Sequence, residues 1–211
     1  MGFHSDAEWI KKLPTTTIPT VLLDFYIRRN SNLALVGTDN DEGFEASIEH
    51  LAGLGHKKIA FLNGPEGSMS AIQRKLMYER HIKGLGLPLD PELYSYGDYS
   101  EGCAEKFVPK FIEKGATAIL CGSDSIAFGV IDKCLEMGYK VPEDISVIGY
   151  DDLPAAKNFK IPLTTISQDR TELGKSAYVV LSSLVRNVAI SKSLMHPRFI
   201  ERSTTGPCKE R

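Results

Sequence analysis

The chain has 211 residues, 42% of them hydrophobic and 25% charged, with a formal net charge of −2. This composition excludes a disordered or fibrous protein and accommodates one sizeable domain or two modest lobes. No lysine or arginine block stands out, so there is no electrostatic footprint for nucleic acid, and any contact with DNA has to come from another segment.

Residues 5–13, carrying Trp9, Ile10 and Leu13 on one stripe, read as a short helix broken by Pro14. Residues 18–23 form a strand candidate ending at Asp24, and 33–36 a second, with a polar loop at 26–32 between them. Asp39 and Asn40 are cap residues for a helix reaching Leu54, with Phe44, Ile48 and Leu51 on its apolar face and Gly55 as its stop. The pattern then repeats as strand 58–62 and helix 70–83, strand 93–96 and helix 100–114, strand 117–121 and helix 125–137. Ile145, Val147 and Ile148 suit a strand, and Gly149 reads as a tight turn that delivers Asp151 and Asp152. A further strand starts at Pro162 and finishes at Gln168 and Asp169. Asp169 caps a helix to about Asn187 with Leu173, Ala177, Val180, Leu181 and Leu184 on one stripe, and 198–201 adds a last strand.

Strict alternation of strand and helix with short links predicts an α/β fold with a doubly wound parallel sheet. Ligands of such sheets collect just outside the carboxyl ends of the strands. The candidates there are Asp24, the loop 63–70, Asp98, Tyr99, Ser123, Asp124 and Asp151. Carboxylates, hydroxyls, an amide and a ring suit a small, neutral, many-hydroxyl ligand, because carboxylate oxygens accept from hydroxyls while a ring covers an apolar face. Each candidate also has a structural reading. Ser123 or Asp124 serves as an N-cap, Ser70 caps its own helix, Arg74 is a solvated helix residue, Tyr99 is packing, and Asp151 with Asp152 is a solvated turn.

The glycines of NGPEG at 63–67 lack a phosphate-loop pattern. Cys103, Cys121, Cys134 and Cys208 show no CxxC spacing, and His4, His50, His56, His81 and His196 no metal-ligand spacing, so core packing is expected rather than a metal or cofactor site. No run approaches the roughly 18 apolar residues of a membrane span. The start lacks the apolar centre of a signal peptide, which points to the cytoplasm.

Five stretches taken together, DNDEGFEASIEHLAGLGHKKIAFLNGP at 39–65, SAIQR at 70–74, GSDSIAFG at 122–129, PEDISVIGYDD at 142–152 and PLTTISQDRTELGKSA at 162–177, resemble the lactose-repressor and galactose-repressor (LacI/GalR) family of transcription regulators. The likeness runs in order from about Thr17 to Thr205. It implies a periplasmic-binding-protein-like effector domain of two α/β lobes joined by three crossings, near Gly37, Ile166 and Leu194, with a small molecule in the cleft and a homodimer as the working unit. One lobe would comprise 1–37 with 167–194, and the other 38–166 with 195–211. The family's helix-turn-helix, hinge helix and first elements of the first lobe have no counterpart in this chain, which implies an incomplete first lobe with an unpaired strand edge and uncovered apolar faces. Residue by residue, the resemblance carries effector binding to Asp24, Ser70, Arg74, Tyr99, Ser123, Asp151 and Gln168. Met77 stands where the family commonly has glycine.

Three functions follow as expectations. The first is the effector-binding part of a sugar-responsive regulator, without membrane contact and touching DNA only through its helix-turn-helix. The second is a periplasmic sugar-binding protein for transport or chemotaxis, which needs a signal peptide or lipid anchor. The third is an enzyme using Asp151 and Asp124, disfavoured because no nucleophile-and-base pair or cofactor fingerprint appears.

Overall fold

Strands in a parallel sheet are covered on both faces, so their sequences run apolar without a break. The computed structural model describes residues 12–24, 32–188 and 192–209, and the inner strands at 33–36, 59–62 and 118–121 follow this rule. The helix expected at 5–13 and the loop at 26–32 fall almost wholly outside the described residues.

The strands are β1 (Thr20–Leu23), β2 (Leu33–Thr38), β3 (Ile59–Asn63), β4 (Tyr94–Tyr96), β5 (Ala118–Cys121), β6 (Ser146–Asp151), β7 (Thr164–Ser167), β8 (Lys192–Met195) and β9 (Arg198–Ile200). The helices are α1 (Asn40–Gly53), α2 (Met69–Gly84), α3 (Ala104–Glu113), α4 (Asp124–Glu136), α5 (Pro154–Asn158) and α6 (Arg170–Val185). Six strands form one sheet in the order β4-β3-β5-β6-β7-β9, parallel except for the β7–β9 pair, and three form a smaller parallel sheet in the order β1-β2-β8.

The period of two along each strand divides the large sheet's core. Ala60, Leu62, Ile119, Cys121 and Val147 point to the side packed by α3 and α4. Ile59, Phe61, Ala118, Leu120, Ile148 and Tyr150 point to the side packed by α1 and α2, where Phe61 lies 5.4 Å from Phe44 and 5.1 Å from Tyr78 between ring centroids. The small sheet's core is Ala34, Val36, Val180 and Leu184, with Val21 and Leu173 packed on it. Leu181, expected on the buried stripe of α6, is exposed, as are Tyr178, Val179 and Val185. Much of this helix's apolar surface therefore faces solvent.

Helix starts follow their caps. Asp39 accepts from Asp41 N, Ser123 from Ile126 N and Asp169 from Glu172 N. Ser70 does not cap its helix; the boundary residue is Ser68, whose side chain makes no capping bond. The helix expected over 100–114 divides into a 3-10 turn at Glu101–Cys103 and α3. Gly149 is not a turn but lies inside β6, and glycine suits the position because a Cβ there would sit 2.3 Å from Asp124 Oδ1 and 2.8 Å from Leu163 Cδ2.

Among the described residues the chain passes between the sheets three times, after β2, after β7 and between β8 and β9. The first and third passages are tied by Asp39 N donating to Met195 O at 2.8 Å. The C-terminal stretch is bonded to the starts of β6 and β7. Val147 N donates to Thr204 O, Thr204 Oγ1 donates to Val147 O at 2.7 Å, and Thr164 N donates to Thr204 Oγ1 at 2.9 Å. Thr204→Val leaves two buried backbone groups short of a partner, and is expected to lower stability by about 2 kcal/mol, read as a drop in the urea midpoint at unchanged slope.

Candidate functional site

All seven residues singled out from the sequence line one cleft of about 670 Å³ between the two sheets, together with Leu23, Ser68, Met69, Ser125, Leu153, Arg170, Leu173 and Gly174. Asp24 follows β1 of the small sheet, and Gln168 follows β7 at a passage between the sheets. Ser70 and Arg74 come from the first turns of α2, Tyr99 from the segment after β4, Ser123 from the start of α4 and Asp151 from the end of β6.

Arg74 sits at the floor. Its side chain is buried, its Nη1 donates to Gly122 O, its guanidinium lies 3.9 Å over the Tyr150 ring, and its Nε has no hydrogen-bond partner among the described residues. Burial alone would weaken its hold on a proton, but Tyr150, Asp151, Tyr99 and Asp24 outweigh it and push its pKa up. A solvated helix arginine is therefore the wrong description of Arg74.

Asp151 shows the opposite balance. Burial raises its pKa, while Arg74, Arg170 and the hydrogen bond from Gln168 hold the shift in check. Gln168 Nε2 donates to Asp151 Oδ1 at 2.7 Å and Gln168 Oε1 accepts from Thr38 Oγ1 at 3.0 Å, so one amide joins the two sheets. Thr38 N in turn donates to Asp24 Oδ1 at 2.9 Å. On the far wall Ser70 Oγ meets the Tyr99 hydroxyl at 2.8 Å and Ser68 Oγ at 2.9 Å. Ser123 both lines the cleft and caps α4.

Three of these residues have left-handed backbones: Asp24 (φ 47°), Tyr99 (φ 64°) and Asp151 (φ 121°). Such conformations cost on the order of 1–3 kcal/mol each and persist where the surroundings over-determine them. Gly64 leaves the room that the Tyr99 ring occupies, since a Cβ there would lie 2.0 Å from Tyr99 Cζ.

Other candidates take other roles. Asp98 lies away from the cleft and accepts from Ser100 N and Ser100 Oγ in a local turn. Asp152, also left-handed at φ 53°, is tied to Arg202 at 2.7 Å and lines a second, smaller cleft. Asp124 neither caps α4 nor reaches the cleft. It is fully buried, its Oδ1 accepting from Thr165 Oγ1 and its Oδ2 from Leu153 N, both at 2.6 Å. Sequence reasoning missed Arg170, 3.8 Å from Asp151; its position directly after the QD pair was the available signal.

Burial pushes the Asp124 carboxyl up from 3.8 to about 6, against the pull of its two hydrogen bonds. A folded-state pKa above the unfolded value stabilises the fold through the protonated form, fully below about pH 4, and that contribution is lost as pH rises through about 6. The stability difference between the parent and Asp124→Asn is expected to shift in the variant's favour from pH 4 to pH 7, as read by calorimetric melting. A difference that is flat with pH contradicts the assignment.

Known proteins carry the same architecture. A family model described as a periplasmic binding protein-like domain matches residues 48–205. Over 191 residues the chain is 31% identical to the HTH-type transcriptional repressor PurR of Vibrio atlanticus (strain LGP32), covering 89% of this chain and 57% of that relative. It is 31% identical over 195 residues to the PurR of Aliivibrio fischeri (strain MJ11), covering 90% and 58%. The chain thus spans somewhat over half the length of these curated relatives. Among solved structures, a LacI family transcriptional regulator from Enterococcus faecium with bound ribose superposes with a TM-score of 0.80 at 26% identity, covering 90% of this chain and 72% of that one. A dimeric lac repressor with a C-terminal deletion superposes with a TM-score of 0.83 at 30% identity, covering 91% and 70%.

Proposed function

The chain belongs to the periplasmic-binding-protein-like family, in its LacI/GalR effector-domain branch, and from that premise we propose that it is the effector-binding part of a transcription regulator whose ligand is a small, neutral, hydroxyl-rich molecule of the sugar class. The observation that carries this reading is the convergence of seven polar residues from both sheets on one cleft. The charges there, Asp24 and Asp151 against Arg74 and Arg170, balance in number, which favours a neutral ligand over an ion. Carboxylate oxygens on opposite walls accept from sugar hydroxyls, Arg74 supplies a donor from the floor, and Tyr99 covers an apolar ring face.

Control of DNA follows from where the acids stand. A ligand that bonds Asp24 on the small-sheet side and Asp151 on the large-sheet side has different affinities for different arrangements of the two lobes, here 1–37 with 167–194 and 38–166 with 195–211. It shifts their population by that difference. A homodimer relays the shift to a helix-turn-helix of the kind the relatives' names carry, and the setting is the cytoplasm. Those relatives are named repressors, which supports a regulator over a periplasmic carrier or an enzyme. No helix among the described residues is long and apolar enough to cross a membrane.

Titration calorimetry with a panel of neutral mono- and disaccharides, sugar acids and nucleobases tests the reading. At least one neutral sugar is expected to bind, and Arg74→Ala to weaken it by roughly 100-fold, as removal of a buried charged donor does. Asp24→Asn and Asp151→Asn are each expected to cost about tenfold. Binding confined to nucleobases or sugar acids overturns the sugar assignment, and a bound sugar indifferent to all three variants overturns the site.

A further inference from the structure

Beneath the cleft lies a buried carboxylate that the binding scheme does not use. Asp124 shows no solvent exposure, yet it opens one segment that supplies cleft residues and is bonded to two others. Its backbone opens α4 between Ser123 and Ser125, both cleft residues. Its Oδ2 accepts from Leu153 N, which fixes the turn holding Asp151, Asp152 and the cleft residue Leu153. Its Oδ1 accepts from Thr165 Oγ1 on β7, the strand that ends just before Gln168. Gly149 leaves the space these bonds occupy, since a Cβ there would stand 2.3 Å from Oδ1. The turn it holds is strained, with Asp151 at φ 121° and Asp152 at φ 53°, so an external tie is needed to keep it in one conformation.

We propose that Asp124 is a positioning residue: it bolts the 151–153 turn and β7 to the start of α4, and so sets where Asp151, Leu153, Ser123 and Gln168 stand relative to one another. It touches no ligand and acts only through those residues. The inference rests on the binding reading for its affinity readout alone, because the tie itself is visible at the Leu153 amide.

An amide carbonyl replaces one carboxylate oxygen without change of shape. In Asp124→Asn the carbonyl keeps the bond from Leu153 N, and the Thr165 hydroxyl rotates to accept from the new NH₂. In Asp124→Ala both bonds go. Amide hydrogen exchange by NMR is therefore expected to show Leu153 protected in the parent and in Asp124→Asn but exposed in Asp124→Ala, with the amides of β3 and β5 unchanged. Affinity for the sugar found in the panel is expected to fall about 30-fold in Asp124→Ala and no more than about threefold in Asp124→Asn, in line with the loss of two buried hydrogen bonds against the retention of both. The Leu153 nitrogen shift should also show a titration step near pH 6 in the parent that is absent from Asp124→Asn. The charged groups facing the carboxylate are Asp151 and Asp152, the latter paired with Arg202.

Thr165→Val removes one bond and no charge, and serves if Asp124→Ala fails to fold. It should keep Leu153 protected and lower affinity about threefold. A folded Asp124→Ala with Leu153 still protected, or with parent-like affinity, overturns the proposal, as does equal damage by Asn and Ala. If no sugar binds the parent, the binding reading fails while the Leu153 exchange result still decides whether Asp124 holds the turn.

Discussion

A guanidinium in a protein interior has to be compensated, because moving an unpaired charge out of water costs several kcal/mol. Arg74 imposes that requirement at the centre of this molecule, and the cleft is arranged to meet it. The Gly122 carbonyl takes one donor, the Tyr150 ring lies against the flat of the group, and Asp24 and Asp151 supply negative charge from the two sheets. Nε, without a partner among the described residues, is a donor in want of an acceptor. A buried arginine flanked by acids on separate walls ties the electrostatics of the site to the arrangement of the lobes.

The backbone bears a matching constraint. Asp24, Tyr99 and Asp151 all stand in left-handed conformations, and each is fixed by a neighbour. Thr38 N bonds the Asp24 carboxylate, the absent side chain of Gly64 makes room for Tyr99, and Asp124 holds the turn after Asp151. Strain of this kind fixes side chains on loops with a precision that unrestrained loops lack. Gln168 joins the small sheet at Thr38 to the large sheet at Asp151, and any change in lobe arrangement has to break or stretch that bridge.

Most of the fold was legible because its signals are local. Alternation of strand and helix segments marked the parallel sheet, and Asp39 and Asp169 marked helix starts that the structure confirms. What escaped depends on contacts distant in sequence. The strand Lys192–Met195, near which only a crossing was expected, exists through its pairing with Leu35 to Thr38. Gly149 suggested a turn locally, but its reason is an Asp124 oxygen and a Leu163 methyl brought against it by the fold. The site was legible as a set of residue types at strand ends, sharpened by the family resemblance, and all seven residues chosen meet in one cleft. Without the resemblance, which of several acids faces that cleft was not legible, because Asp98, Asp124, Asp151 and Asp152 follow strands alike and differ only in the partners the fold brings to them.

The central claim is that one neutral, hydroxyl-rich molecule is held from both sheets at once, and a crystal structure of the protein with a bound sugar tests it most directly. The account predicts density between β1 and β6, with sugar hydroxyls within hydrogen-bond distance of both Asp24 and Asp151 and an acceptor on Arg74. A sugar held by residues of one sheet alone, or seated outside this cleft, would contradict it.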